Sequence, residues 1–217
     1  MGKIELYNTD NMQLMKQYAD KYFDLAIVDP PYGINWYTSG TNKIFWNSKN
    51  GKKAKKWDIA PTKEYFDELF RVSKNQIIWG TNHFANNIPS CNSVIVWDKT
   101  RRRSVFADCE IAFAYISDFT EINIFKGNAI FEMFYNPAQK NDKIHPTQKP
   151  PELYKWLLLN YAKKGDKILD TNLGSGTIAL ACDELGFDLV GCEIDKEYFE
   201  GANKKLNQFR QQLRLPI

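Results

Sequence analysis

The chain has 217 residues, 43% hydrophobic and 14% aromatic, with 29 Lys and Arg against 26 Asp and Glu for a net charge of +3. That length and composition fit one domain with a full core and exclude a chain that is disordered throughout. A balance of +3 is far below the basic excess of a protein whose whole surface binds nucleic acid, so any such contact has to be local.

The N-terminus opens Met1-Gly2-Lys3-Ile4-Glu5 without an apolar leader, and no apolar run approaches the roughly 20 residues of a membrane span. A cytoplasmic protein with no membrane partner is expected. A first strand is predicted at 4–7 and a second at 25–28, running into Asp29-Pro30-Pro31-Tyr32. Residues 33–60 show no sustained period and read as a long loop, a length that is usually functional. A helix follows at 62–73, with Tyr65, Phe66, Leu69 and Phe70 on one face, then strands at 77–79, 94–97 and 111–115. Segments 122–125 and 131–135 flank Lys126-Gly127-Asn128-Ala129 like a hairpin set beside the main sheet. A helix at 151–162 starts on Pro151, a strand spans 167–169, a helix 176–185, a strand 189–193 and a last helix 196–213. Alternating strands and helices predict an α/β domain with a mostly parallel sheet. The cysteines at 91, 109, 182 and 192 stand singly and only His83 and His145 offer imidazoles, so no metal site is expected and the thiols read as small core residues.

Two strand ends carry chemistry. Asp170-Thr171-Asn172-Leu173-Gly174-Ser175-Gly176-Thr177 turns from a strand into a helix through two glycines, which lets a ligand approach the backbone. About 20 residues later the next strand ends in Glu193-Ile194-Asp195, where an acid can accept both hydroxyls of a ribose. The turn lacks the third glycine of a dinucleotide fingerprint and any Gly-Lys-Ser/Thr ending. A nucleoside cofactor without phosphates, such as S-adenosylmethionine, therefore fits best, with Asp170 facing its cationic methionine end. At the other strand end, Pro30 and Pro31 hold the backbone extended with carbonyls as fixed acceptors, and Asp29 adds a carboxylate. Acceptors on both hydrogens of an exocyclic amino group favour a pyramidal nitrogen with a free lone pair, and Tyr32 supplies a flat face for an extruded base.

With both motifs present, the chain resembles the permuted, β-class DNA methyltransferases that methylate amino groups, N6 of adenine or N4 of cytosine, in which the catalytic motif precedes the cofactor motif. The resemblance rests on Asp29 to Tyr32, on His145-Pro146-Thr147-Gln148-Lys149-Pro150 and on Asp170 to Thr177. It implies a Rossmann-like fold: a seven-stranded, mostly parallel sheet with helices on both faces and circularly permuted motif order. It implies one methyltransferase domain over 1–217, with a basic loop insertion at 33–60 and a short target-recognition insert at 116–143. Asp29, Pro30, Pro31 and Tyr32 would be catalytic. S-adenosylmethionine would be held by Asp10, Thr147, Gln148, Lys149, Asp170, Asn172, Gly174, Ser175, Gly176, Thr177, Glu193 and Asp195. Where the family commonly has Asp-Pro-Phe, this chain has Asp170-Thr171-Asn172. Trp79 to Phe84 resembles the segment at the base pocket, with His83 expected to be packed rather than catalytic.

DNA is the expected partner. Between 33 and 60 lie six lysines, including Lys49, Lys52, Lys53, Lys55 and Lys56, against Asp58 alone, and Lys99, Arg101, Arg102 and Arg103 form a second basic cluster. Such groups suit phosphates on either side of a flipped base. The implied reaction is in-line methyl transfer to N6 of a flipped adenine, because cytosine enzymes of the family more often show Ser in place of Asp29. N4-cytosine, RNA and glutamine-amide methylation are the enzymatic rivals, and a non-catalytic DNA-binding subunit is the other class. A homodimer and a cognate restriction endonuclease are left open as partners.

Overall fold

The computed structural model describes residues 2–34, 58–100, 107–117, 122–126 and 148–212. Among the described residues, eight strands form one sheet: β1 (Ile4–Tyr7), β2 (Phe23–Val28), β3 (Ser73–Trp79), β4 (Val94–Asp98), β5 (Cys109–Tyr115), β6 (Ile122–Lys126), β7 (Lys167–Asp170) and β8 (Asp188–Cys192). Their order is β1-β8-β7-β2-β3-β5-β4-β6. All neighbours pair parallel except those of β5, which runs against both β3 and β4. The first strand of the chain pairs with the last, Ile4 opposite Leu189, as the permuted order requires.

Side chains alternate across the central strands because successive Cβ atoms point to opposite faces. Leu25, Ile27, Ile77, Trp79, Ile168 and Leu189 face one core. It is closed by α3 (Pro151–Tyr161), α4 (Thr177–Leu185) and α5 (Lys196–Gln212). Phe23, Ala26, Val28, Ile78, Leu169 and Val190 face the other. That core is covered by α1 (Asn11–Met15) and α2 (Lys63–Val72). Arg71, in the last turn of α2, ties the two sides of this layer, binding Glu68, Asp20 and the carbonyls of Met15 and Tyr18. No helix among the described residues is long and apolar enough to cross a membrane.

Three sequence expectations change. The sheet has eight strands rather than seven, because 122–126 is no separate hairpin: it joins the main sheet parallel to β4, with Ile122 opposite Val94. Its proposed partner at 131–135 lies outside the described residues. The third strand begins at Ser73, four polar residues before its apolar half, because Asn75 bonds the Asp24 carbonyl and Gln76 the Ser73 carbonyl. Cys182 and Cys192 are buried as expected, but Cys109 is exposed at the start of β5.

Candidate active site

The carboxyl ends of β8, β7, β2 and β3 line one edge of the sheet, the position where open α/β sheets bind ligands. Reversal of β5 brings its N-terminal residues, Cys109 and Glu110, to the same edge.

At the β7–β8 end, Glu193 organises the glycine turn. Its two carboxylate oxygens accept the backbone N–H groups of Gly174, at 2.9 Å, and Asp195, at 2.8 Å. Burial raises the Glu193 pKa, while these amides act in the opposite direction. Each oxygen keeps a further lone pair, so the group can still accept ribose hydroxyls. Gly176 sits at φ +70°, and a Cβ there would lie 2.6 Å from Cβ of Ala202 on α5. The turn is thus glycine for close helix packing as well as for ligand approach. Ser175 and Thr177 are buried, and their hydroxyls bond each other 2.8 Å apart. Asp10 caps α1 by accepting the Gln13 N–H, and Asp195 caps α5 by accepting those of Glu197 and Tyr198.

Asp170 is buried at the tip of β7, with one oxygen on the Asn172 N–H. Burial drives its pKa up to about 7, and the charges of Asp29 and Glu193 add to the rise. Thr171 and Asn172, which stand where the family has Pro-Phe, are held by the buried Tyr65 hydroxyl of α2, 2.5 Å from Thr171 Oγ1 and 3.0 Å from Asn172 Oδ1.

At the end of β2, Asp29 is part of a charged cluster that the sequence did not reveal. Lys149, a predicted cofactor residue, places its ammonium 2.5 Å from Asp29 Oδ2 and 3.0 Å from Glu110 Oε2. Glu110 Oε1 in turn pairs with Lys99 at 2.6 Å. Burial works to lower the Lys149 pKa, but the two carboxylates outweigh it and the net direction is upward. Burial works to raise that of Glu110, but Lys149 and Lys99 bring it down to about 2. Tyr32 donates its hydroxyl to Asp29 Oδ1 at 2.8 Å and approaches Glu110 Oε2 at 3.4 Å. One face of its ring carries His83, stacked with centroids 5.0 Å apart, and His83 Nε2 contacts Asn82. The imidazole is exposed yet held by this stack and by Asn82, and it covers a face of Tyr32 on which a base was expected to stack. Tyr32 also explains Gly80, at φ +72°, where a Cβ would meet the ring at 2.2 Å.

Pro30 is buried beneath this cluster. Gln148 Oε1 is buried without a hydrogen-bond partner among the described residues. Thr147, the lysines at 49, 52, 53, 55 and 56, and Arg101, Arg102 and Arg103 lie outside the described residues. The ends of their segments are visible. Gly33 N–H bonds Asp58 at 2.8 Å, which brings the two ends of the first loop together, and Lys99 and Thr100 leave β4 beside Glu110. Glu110 was absent from the sequence reading, since it sits in no motif, and Lys99 was read only as part of the second basic cluster; their place at the two ends of antiparallel neighbours is what brings them together.

The fold has counterparts in known proteins. The type II methyltransferase M.HpaI of Haemophilus parainfluenzae is 25% identical over 226 residues, covering 90% of this chain and 72% of that one. Among solved structures, the M1.HpyAVI–SAM complex superposes with a TM-score of 0.57 at 22% identity, over 94% of this chain and 99% of the other. The cytosine-N4-specific PvuII DNA methyltransferase gives 0.62 at 11% identity, over 98% and 93%. A family model for DNA methylases acting at N6 or N4 matches residues 23–204, both strand-end clusters included, and the chain belongs to that family.

Proposed function

We propose that the protein is an S-adenosylmethionine-dependent DNA methyltransferase that methylates N6 of an adenine flipped out of the duplex, through one domain that carries both reactant sites. The observation that carries this reading is the adjacency of two clusters. The Asp29 carboxylate and the Glu193-anchored turn end strands only one or two places apart in the sheet, with Asp170 between them.

The residues fit the cofactor chemically. Glu193 has acceptor capacity for a ribose, Asp170 is an acid for a cationic ammonium and sulfonium, and the unpartnered Gln148 oxygen offers an acceptor nearby. Asn172, Gly174 and Gly176 shape the turn, whereas Asp10 and Asp195 act through the helix ends they cap. When bound, S-adenosylmethionine supplies a methyl group on a sulfonium, open to in-line displacement. Asp29 accepts one N–H of the target amino group and the Pro30 carbonyl the other, so the nitrogen lone pair turns out of the ring plane toward the methyl. Positioning of the two reactants supplies much of the rate, and the fixed acceptors stabilise charge growing on nitrogen. The proton leaves after transfer, when the methylated amino group is strongly acidic, so no base near neutrality is required. Pro31 stiffens the segment, and the lysine and arginine segments supply phosphate contacts.

Adenine is favoured over cytosine by Asp29, where the N4 enzymes more often carry Ser. Incubation with methyl-labelled cofactor and DNA, then digestion to nucleosides, should give N6-methyladenine. N4-methylcytosine would overturn the base assignment, and label only in RNA or protein would overturn DNA as substrate. Asp29→Ala should abolish transfer with cofactor affinity largely retained. Because it leaves the buried Lys149 short of a carboxylate, a loss of order 3–5 kcal/mol for such pairs, Asp29→Asn is the milder companion.

A further inference from the structure

The two carboxylates of the Asp29 cluster are joined twice. Lys149 Nζ bridges Asp29 Oδ2 and Glu110 Oε2, and the Tyr32 hydroxyl bridges Asp29 Oδ1 and Glu110 Oε2. The four groups form a closed ring, with Lys99 holding the outer oxygen of Glu110. Two carboxylates and two ammoniums balance, which a cluster this buried requires. Asp170 at the end of β7 and Tyr154 on α3 face the same group.

In the ring as it stands, each Asp29 oxygen already holds one donor. Oδ2 is held by Lys149 and Oδ1 by Tyr32. An amino group that enters competes with these donors, and the one it displaces most readily is the weaker, neutral Tyr32 hydroxyl. Displacement would orphan a phenol in a site where burial and two carboxylates already push its pKa well up, so it stays a donor in need of an acceptor. Glu110 Oε2 lies 3.4 Å away, in line to receive it after a shift of about half an ångström toward ordinary hydrogen-bond length.

We propose that Glu110 is a positioning residue for methyl transfer: it shares Lys149 with Asp29 and takes over the Tyr32 hydroxyl when the target amino group occupies Asp29 Oδ1. Its place follows from topology. Among the described strands, only the reversed β5 brings a residue to this edge from its N-terminal end, opposite Trp97 of β4 and two residues beyond the Trp79–Ala112 pair with β3. The inference rests on the proposed amino-methyl transfer, and it predicts a penalty on turnover rather than on binding.

Glu110→Gln keeps the shape and removes the charge. Its kcat should fall about 10- to 100-fold, the factor an orphaned buried hydroxyl imposes, with cofactor and DNA affinities within about threefold of wild type. In a Tyr32→Phe background the same change should cost less, because the hydroxyl that Glu110 receives is gone; equal penalties in both backgrounds would mark a merely structural role and overturn the proposal. A second readout needs no turnover. In cofactor-free protein with 13C at the lysine ε-carbons, the Lys149 signal, assigned by its loss in Lys149→Met, should titrate at lower pH in Glu110→Gln than in wild type. Identical titrations overturn the shared ammonium, and wild-type kcat in Glu110→Gln overturns the positioning role. If that variant does not fold, Glu110→Asp keeps the charge but draws it back from Tyr32, and undiminished kcat there has the same force. Absence of methyl transfer by the wild type would refute the parent function instead, and the lysine titration would still decide whether Glu110 holds Lys149.

Discussion

Asp170 shows how one buried side chain links pH to both folding and ligand binding. Its carboxyl, pushed to about 7 by burial and by Asp29 and Glu193, is mostly protonated in the free protein at mildly acid pH. The unfolded chain releases that proton near 3.8, the unperturbed value. Between these values the native state binds more protons than the unfolded one, so stability from this group falls as pH rises from about 4 to 7 and is level above. In its proposed place at the cationic end of the cofactor, Asp170 binds best as the ionised acid, so cofactor binding should expel a proton below pH 7 and strengthen as pH rises through that value. Calorimetry of S-adenosylmethionine binding at pH 5.5, 7 and 8.5 should show affinity climbing and then levelling, with proton release only on the acid side. Asp170→Asn should bind more weakly and flatten the climb; an undiminished climb would assign the titration elsewhere, with Glu193 the first alternative because its pKa is also raised.

Elements fail or succeed here at their joints. Gly176 joins β7 to α4 and at the same time lets α5 approach, so Gly176→Ala meets two costs. A left-handed φ of +70° on alanine strains the backbone by about 1–3 kcal/mol, and a Cβ 2.6 Å from that of Ala202 overpacks the helix contact by a similar amount. Urea unfolding should show the combined loss, and Ala202→Gly in the same chain should recover the packing part only. The glycines themselves were readable in the sequence because a turn after an apolar run has few other uses. The bond between Ser175 and Thr177 in the same turn was not, since no spacing signals it. The same limit governs the strands. Apolar runs announced β2, β7 and β8, whereas the polar half of β3 and the five-residue α1 carry no period, and they are fixed by single bonds such as those of Asn75 and Asp10. Lys149 was legible as part of a motif but its partner was not, since Glu110 reaches it only through the reversal of β5.

At the scale of the whole molecule, the net charge of +3 conceals a division. Residues 33–60 carry six lysines and one aspartate, a local +5, so the remaining chain sums to −2. The described ends of that segment, Gly33 and Asp58, meet beside the catalytic edge, and the arginine cluster follows Lys99 at the same edge. An acidic body repels DNA except where these segments lead it, so binding should be steep in salt although the protein is nearly neutral. Each phosphate contact contributes a slope of about −0.9 in log affinity against log salt on duplex DNA. Replacing Lys52, Lys53, Lys55 and Lys56 by alanine should therefore flatten the slope by about 2 to 4 units and leave cofactor affinity unchanged. Fluorescence anisotropy with labelled duplex between 50 and 300 mM salt, roughly the range in which the Debye length falls from above 10 Å to below 8 Å, reads that slope directly. If the slope stays at its wild-type value, the 33–60 segment is a solvated loop and the arginines at 101–103 become the candidate phosphate contacts, to be tested by the same titration.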